Sequence, residues 1–331
     1  MVTAIGTPRN DIFAGTMESD YFNGLEGYDV VSRYHTSLQA GSFATLGGAT
    51  VSYATGTEVD VYVNIEQVDF LDGRMVFGVD DPLAQVYRLY DAAFDRAPDQ
   101  AGLNLQAATL YRGGELTQLA DNFISSPEFM QRYGESLSDA GFVEQLYQNV
   151  LGRHGETAGI QGWLDVLGSG TSRAQVLVGF SESNEHREIV APEIASGLWD
   201  RSEDAALVAR LYDSVFDRLP DFYGLAFWTD QLDRGILAAD DVANRFLASA
   251  EAEQHYGSDL SNADLVQALY FNTLGRDGEE AGMQHWVSAL DAGAMTRAQV
   301  LLGFSESVEH QLLTASTVGG EAPDSYGITF A

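Results

Sequence analysis

The 331-residue chain contains no cysteine, which excludes disulfides and thiolate zinc centres but leaves the compartment open. It contains no lysine either. All 17 basic residues are arginine, they face 49 acidic ones, and the formal net charge is -32. A surface this negative repels nucleic-acid phosphates and anionic lipid, so neither is expected as a partner. Its natural counter-ions are cations, calcium among them. No apolar run approaches the roughly 18 residues that cross a bilayer, so no membrane insertion is expected. The start, MVTAIGTPRND, lacks the basic segment and apolar run of an ordinary signal peptide, so export would have to read something other than the N-terminus. Apolar residues are not scarce: 45% hydrophobic and 11% aromatic content supports a real core and argues against wholesale disorder. The length suits two domains, or one domain with a repeat array.

The first ordered pattern is a nine-residue period. Glycine stands at Gly6, Gly15 and Gly24, and aspartate at Asp11, Asp20 and Asp29, in the stretch GTPRNDIFAGTMESDYFNGLEGYDVVS. Glycine tolerates the backbone conformations of tight turns, and each aspartate is followed by apolar residues: Ile12 and Phe13, Tyr21 and Phe22, Val30 and Val31. The unit reads as a turn carrying a carboxylate, then a very short strand with one side chain inward. Stacked units would align like charges, which a hard cation such as calcium would offset. An ordinary Gly/Asp-rich loop is the plainer alternative.

The period resembles the repeats-in-toxin nonapeptide G-G-x-G-x-D-x-U-x, whose family forms a calcium-loaded parallel β-roll. The match departs at the second position (Thr7, Thr16, Leu25) and the fourth (Arg9, Glu18, Gly27). The resemblance implies calcium between turns two units apart, hence a site using Asp11 and Asp29, with Asp20 on the opposite row and in need of a further partner. The implied metal set is Asp11, Asp20, Asp29, Gly6, Gly15, Gly24 and Asn10. Residues 33 to 80 continue in strands, with a turn at Asp72-Gly73. Ile65, Glu66, Phe70, Asp72 and Gly73 resemble the strand-rich close that follows such repeats and would cap the open end.

After Asp80-Asp81-Pro82 the apolar spacing becomes helical. Leu-Tyr recurs at Leu89-Tyr90, Leu146-Tyr147, Leu211-Tyr212 and Leu269-Tyr270. Six residues beyond each tyrosine stands Arg96, Arg153, Arg218 or Arg276, and twelve beyond it Gly102, Gly159, Gly224 or Gly282. At sixteen stand Trp163, Trp228 and Trp286, but Gln106 in the first copy. Each copy closes on F-x-x-S-x-E, as in Phe123, Ser126 and Glu128. Copies one and three share FDRxPD, and copies two and four share LGR and GFSES, so the order is A-B-A-B. Each copy is expected to be about three helices, with the arginine at a helix end offsetting its carbonyls and Thr171 or Ser172, and Thr296, as N-caps. The fold expected is α+β, mainly α: a short parallel β-roll followed by a four-unit helical array. The boundaries fall at 1–80, 81–197, 198–318 and a tail, 319–331.

This array resembles the helical domain of unknown function 4214 over roughly residues 83 to 313, on L-Y-x-x-x-L-G-R-x-P-D-x-x-G-x-x-x-W and F-x-x-S-x-E. Members often accompany calcium repeats in exported or surface-layer-like bacterial proteins, and the family implies no activity.

A search for catalysis finds little. GFSES echoes a nucleophile elbow but lacks the final glycine and lies within a helix pattern. Glu182 with His186, and Glu306 with His310, share a helix face and read as i,i+4 ion pairs or as metal ligands. No HExxH motif or phosphate loop is present. The end, GGEAPDSYGITFA, resembles an uncleaved C-terminal signal of type I export. The expectation is a secreted, non-enzymatic, calcium-binding scaffold or adhesion protein of the cell surface or matrix, self-assembling or bound to a cell-surface component. The rival is an exported enzyme or a carbohydrate-binding accessory module.

Overall fold

The structure is a computed structural model. It describes all residues except 1, 17, 34–40, 47–48, 55–58, 135–136, 258–259, 320–325 and 331, and only the backbone of 41–46 and 49–54. The sequence reading of the C-terminal tail as an export signal lies mostly outside the described residues. The fold is mixed, mostly helical, with a strand-rich N-terminal region. Two compact units form: residues 1–33, 43–69 and 74–200, and residues 34–42, 70–73 and 201–331.

The nine-residue period sets the strand pairing. Strands β1 (Thr3–Ile5), β2 (Ile12–Ala14), β3 (Tyr21–Asn23) and β4 (Val30–Arg33) follow one another along the chain. Strand β1 pairs in parallel with β3, Thr3 opposite Tyr21, and β2 pairs in parallel with β4, Ile12 opposite Val30. Partners are therefore two periods apart, and successive turns alternate between two sheets. The middle residue of each short strand turns inward. Phe22 and Val31 are buried, and the Phe22 ring lies 5.5 Å from Phe13 and 6.2 Å from Tyr62.

The period stops where pairing changes. β7 (Val59–Val63) takes the next parallel place beside β3, Tyr21 opposite Val61, but β6 (Ala49–Ala54) then runs antiparallel to β7, with β5 (Gly41–Leu46) at the edge. In the second sheet β8 (Gln67–Phe70) lies beside β4, followed by β9 (Gly73–Val76) and β10 (Leu198–Arg201). Both sheets stay open. The strand-rich region is fastened to the first helix through Asp81. Its carboxylate caps the Leu83 N–H at 2.8 Å and accepts the hydroxyls of Tyr28, at 2.8 Å, and Tyr111.

Four helical repeats follow. The first comprises α1 (Pro82–Phe94), α2 (Gln100–Tyr111), α3 (Leu116–Ile124) and α4 (Pro127–Tyr133). The second comprises α5 (Asp139–Leu151), α6 (Thr157–Gly168), α7 (Arg173–Ser181) and α8 (Asn184–Ala195). The third comprises α9 (Glu203–Phe216), α10 (Phe222–Asp233), α11 (Ala239–Leu247) and α12 (Ala250–Tyr256). The fourth comprises α13 (Asn262–Leu274), α14 (Glu280–Asp291), α15 (Arg297–Ser305) and α16 (Val308–Leu313). Each repeat thus has four helices, not three. The serine of F-x-x-S-x-E does not close the repeat. Ser126, Ser183, Ser249 and Ser307 accept the N–H of Phe129, His186, Ala252 and His310 and so start a short fourth helix.

The other markers also resolve into contacts. Each marker arginine lies just past a left-handed helix cap (Asp95, Gly152, Asp217 or Gly275) rather than on the terminal carbonyls. Its guanidinium grips the glutamate of F-x-x-S-x-E with two nitrogens, as Arg96 grips Glu128 at 2.7 and 3.0 Å, and lies over the marker tyrosine ring, 5.4 Å away for Tyr90. The glycine twelve residues on must lack a side chain, because a Cβ at Gly102 would meet the Tyr90 hydroxyl at 2.7 Å. The other three copies are tighter still. Trp163, Trp228 and Trp286 pack on Phe180, Phe246 and Phe304 at 5.0 to 5.4 Å. Of the N-caps expected before α7 and α15, the first is Ser172 rather than Thr171; Ser172 and Thr296 form capping boxes with Gln175 and Gln299. Repeats one and two share one apolar core, and repeats three and four another.

Candidate metal centre

The alternation of turns sorts the N-terminal carboxylates into two files. In one, the backbone N–H of Val2 donates to Asp20, 2.6 Å, and that of Asp20 donates to Asp60, 2.8 Å. In the other, the N–H of Asp11 donates to Asp29 Oδ1, 2.8 Å, and that of Asp29 donates to Glu66, 2.7 Å. Each carboxylate thus caps the turn stacked before it. Asp20 lies opposite the Asp11–Asp29 row, and the partner its position calls for is Asp60. Sequence reasoning missed Asp60 because it stands 40 residues away, outside the period.

The files differ in how their charge is met. Asp60 is ion-paired with buried Arg33, whose guanidinium also donates to the Thr16 carbonyl at 3.0 Å, while Asp60 accepts the Tyr62 hydroxyl at 3.0 Å. Asp20 receives the Thr16 N–H at 2.7 Å and the Thr16 hydroxyl at 2.8 Å. Burial pushes the Asp20 carboxyl up, but the N–H donors of Thr16 and Val2 and the Thr16 hydroxyl outweigh it and hold it below the usual range. Among the described residues, no basic side chain pairs with Asp29 or Glu66. Burial first, then the neighbouring Asp29 charge, holds the Glu66 carboxyl above its usual range against the Asp29 N–H.

Asp29 itself is fully buried, and its Oδ2 has no hydrogen-bond partner. The cause can be read in the third turn. Thr7 and Thr16 give both their N–H and hydroxyl to Asp11 and Asp20. The equivalent Leu25 has no hydroxyl, adopts φ 76° and donates its N–H to Asn23 instead, at 3.1 Å. The substitution that departs from the repeat therefore strips Asp29 of both donors.

Two of the glycines lie hard against oxygens. A Cβ on Gly6 would meet Asp11 Oδ2 and the Gly24 carbonyl, each at 2.7 Å; one on Gly24 would collide with Asp29 Oδ2 and the Asn64 carbonyl. At Gly15 the same position faces the Arg33 side chain, 2.9 Å away. Carboxylate and carbonyl oxygens are the donor types calcium takes. Among the described residues, no three side chains of His, Asp or Glu converge as a metal cluster, so an ion here would depend on backbone oxygens as well. Asn10 does not join the carboxylates; its side chain accepts the Tyr28 N–H at 3.1 Å.

The helical candidates have other roles. Glu182 and His186 do not pair with each other. Glu182 takes buried Arg88 at 2.8 and 2.6 Å, and His186 reaches Asp91 at 2.8 Å and the Ser181 carbonyl at 2.8 Å. Glu306 with Arg210, and His310 with Asp213, repeat the arrangement in the second compact unit. The B-type phrase SESxEH thus clasps the A-type phrase RLYD in both units. Ser181 and Ser305 are fully buried.

The model of the family described as Domain of unknown function (DUF4214) matches residues 120–190, 192–244 and 243–314. The chain belongs to the DUF4214 family. The match begins within α3, so the likeness read from residue 83 is carried by the family model only from residue 120. The unmatched first helices belong to the copy in which Gln106 replaces the marker tryptophan. The DUF4214 segments span all four helix-starting serines and all the tryptophan markers. None of the curated proteins matches the chain.

Proposed function

We propose that the Asp11–Asp29–Glu66 file holds a calcium ion, and that the N-terminal turns are a short parallel β-roll of the repeats-in-toxin kind, presented by a DUF4214 helical scaffold. The observation that carries this reading is Asp29, a fully buried carboxylate with one oxygen lacking any donor, in a file that no basic side chain among the described residues neutralises. A buried, unpartnered anionic oxygen costs several kcal/mol unless a cation meets it. Asp29, Asp11 and the carbonyls of Gly24 and Asn64 are the groups that would hold the ion, with Glu66 behind Asp29. Calcium there would neutralise the file and lock the turns together. Dissociation constants of extracellular modules, on the order of 10⁻⁴ to 10⁻³ M, would place its action outside the cell, reached by type I export. The helical repeats act by binding rather than catalysis, as a surface or matrix scaffold that assembles with copies of itself. This fits the burial of Ser181 and Ser305, the capping role of Ser183 and Ser307, and the arginine pairs of Glu182 and Glu306.

Light scattering on the size-fractionated full chain, first in millimolar calcium and then in chelator, tests the reading. Calcium-dependent, reversible assembly is expected. A monomer in both conditions removes the scaffold role, and absence of calorimetric calcium binding removes the metal.

A further inference from the structure

The first and second compact units contain equivalent helix pairs, and at one place they differ in a way that opens a pocket. In the first unit, Phe129, three residues after its capping serine, stacks on Tyr133 with ring centroids 4.0 Å apart and planes 7° apart; Phe142 lies 6.4 Å from Phe129. Arg173, at the start of α7, lies 5.1 Å from the Phe142 ring, pairs with Asp139 at 2.7 Å and donates to the Leu137 carbonyl at 2.7 Å.

In the second unit the frame is kept and the filling removed. Tyr256 stands where Tyr133 does and is anchored alike: its hydroxyl donates to the Ser214 carbonyl at 3.2 Å, as that of Tyr133 donates to Ala92 at 3.2 Å. Arg297 donates to the Leu260 carbonyl at 2.7 Å. Ala252 replaces Phe129, Leu265 replaces Phe142, and Asn262 replaces Asp139. The result is a cavity of about 230 Å³ lined by Leu247, Ala252, Tyr256, Leu260, Leu265 and Arg297, with Glu253 on its exposed rim. Among the described residues Arg297 has no carboxylate partner; its other bond is to Asn262, 3.1 Å.

We propose that this pocket binds a small, single-ring aromatic carboxylate. The sister site holds, as side chains, the groups the pocket lacks: a ring stacked on the tyrosine, and a carboxylate on the arginine. The volume is below the roughly 300 Å³ at which drug-sized pockets begin, which limits the ligand to one ring. The negative surface does not forbid an anion, since charges beyond about 8 Å are screened at physiological salt. Among the described lining residues Glu253 is the one acidic group opposing it, and it is solvent-exposed.

The test uses the full chain with phenylacetate, 2-phenylethanol and 2-phenylethylamine as probes, read by ligand-detected NMR and calorimetry. Phenylacetate is expected to bind saturably with a dissociation constant on the order of 1 mM, and the alcohol about fivefold more weakly for want of the exposed ion pair. Ala252→Phe restores the sister residue and should abolish binding while cooperative unfolding is retained; Leu265→Phe serves as a second filling variant. Arg297→Gln should bring phenylacetate down to the level of the alcohol. Equal or tighter binding of the alcohol or the amine, binding undiminished in both filling variants, or no saturable binding of phenylacetate would each overturn the proposal.

Discussion

The two acidic files are built from the same kind of turn, offset by nine residues in sequence, yet they solve the same electrostatic problem differently. The Asp20–Asp60 file carries its own cation, Arg33, and fills its remaining oxygens with threonine donors. Among the described residues the Asp11–Asp29–Glu66 file has no such cation, and at Asp29 it has no such donors: Leu25 stands where threonine would donate, and Gly24 abuts carboxylate and carbonyl oxygens where Gly15 faces arginine. A repeat that departs from its own pattern at one position can thus convert a self-sufficient turn into one that calls for an external ion. This contrast underlies the proposed calcium site.

The comparison breaks most visibly by removing the internal cation. Arg33→Gln leaves Asp60 buried and unpaired, and should cost about 3–5 kcal/mol of stability in denaturant unfolding, as breaking buried pairs does. A loss under 1 kcal/mol would mean that Asp60 is not dependent on Arg33. Supplying the external cation should act only on the other file. A tenfold excess of calcium over its dissociation constant should raise the stability of the native chain by about 1.4 kcal/mol. Asp29→Asn should abolish that gain, whereas Asp20→Asn should leave it in place; the reverse pattern would assign the ion to the wrong file.

The smallest expected effect is on pH dependence in chelator, where the files have opposite signs. Glu66 is raised, so the folded chain binds its proton more tightly than the unfolded one. Its stabilising contribution is complete below the ordinary glutamate value and is lost as pH rises through the folded one. Asp20 is lowered, so its contribution is present above the ordinary aspartate value and is lost as pH falls through the folded one. Acidification towards the ordinary glutamate value should therefore recover the Glu66 contribution in the calcium-free chain, and Glu66→Gln should remove that part of the gain. Parallel pH profiles for the two proteins would contradict the assignment.

Local regularities were legible in the sequence, and long-range pairings were not. The nine-residue period gave the short strands, and the placement of Asp20 opposite Asp11 and Asp29 followed from counting two turns per sheet. The helical markers, recurring at fixed spacing, located all four repeats. The serine phrase misled, because a serine that ends one helix and caps the next looks the same in one dimension as a serine that simply ends one. Asp60 and its pairing with Arg33 escaped notice because β7 joins the parallel ladder only after two intervening strands, so no fixed spacing links it to Asp20. The Arg88–Glu182 and His186–Asp91 clasp needs two helices about 95 residues apart in sequence to be placed face to face. An i,i+4 reading of Glu182 and His186 had the right residues with the wrong partners. The pocket beside Tyr256 becomes legible only once Phe129 and Phe142 are seen filling its counterpart.

A crystal structure of the chain grown in calcium addresses the central claim most directly. The account predicts a calcium ion about 2.3–2.6 Å from Asp29 Oδ2, with Arg33 still on Asp60. Asp29 Oδ2 meeting only water or a protein donor, or an ion seated between Asp20 and Asp60 instead, would contradict it.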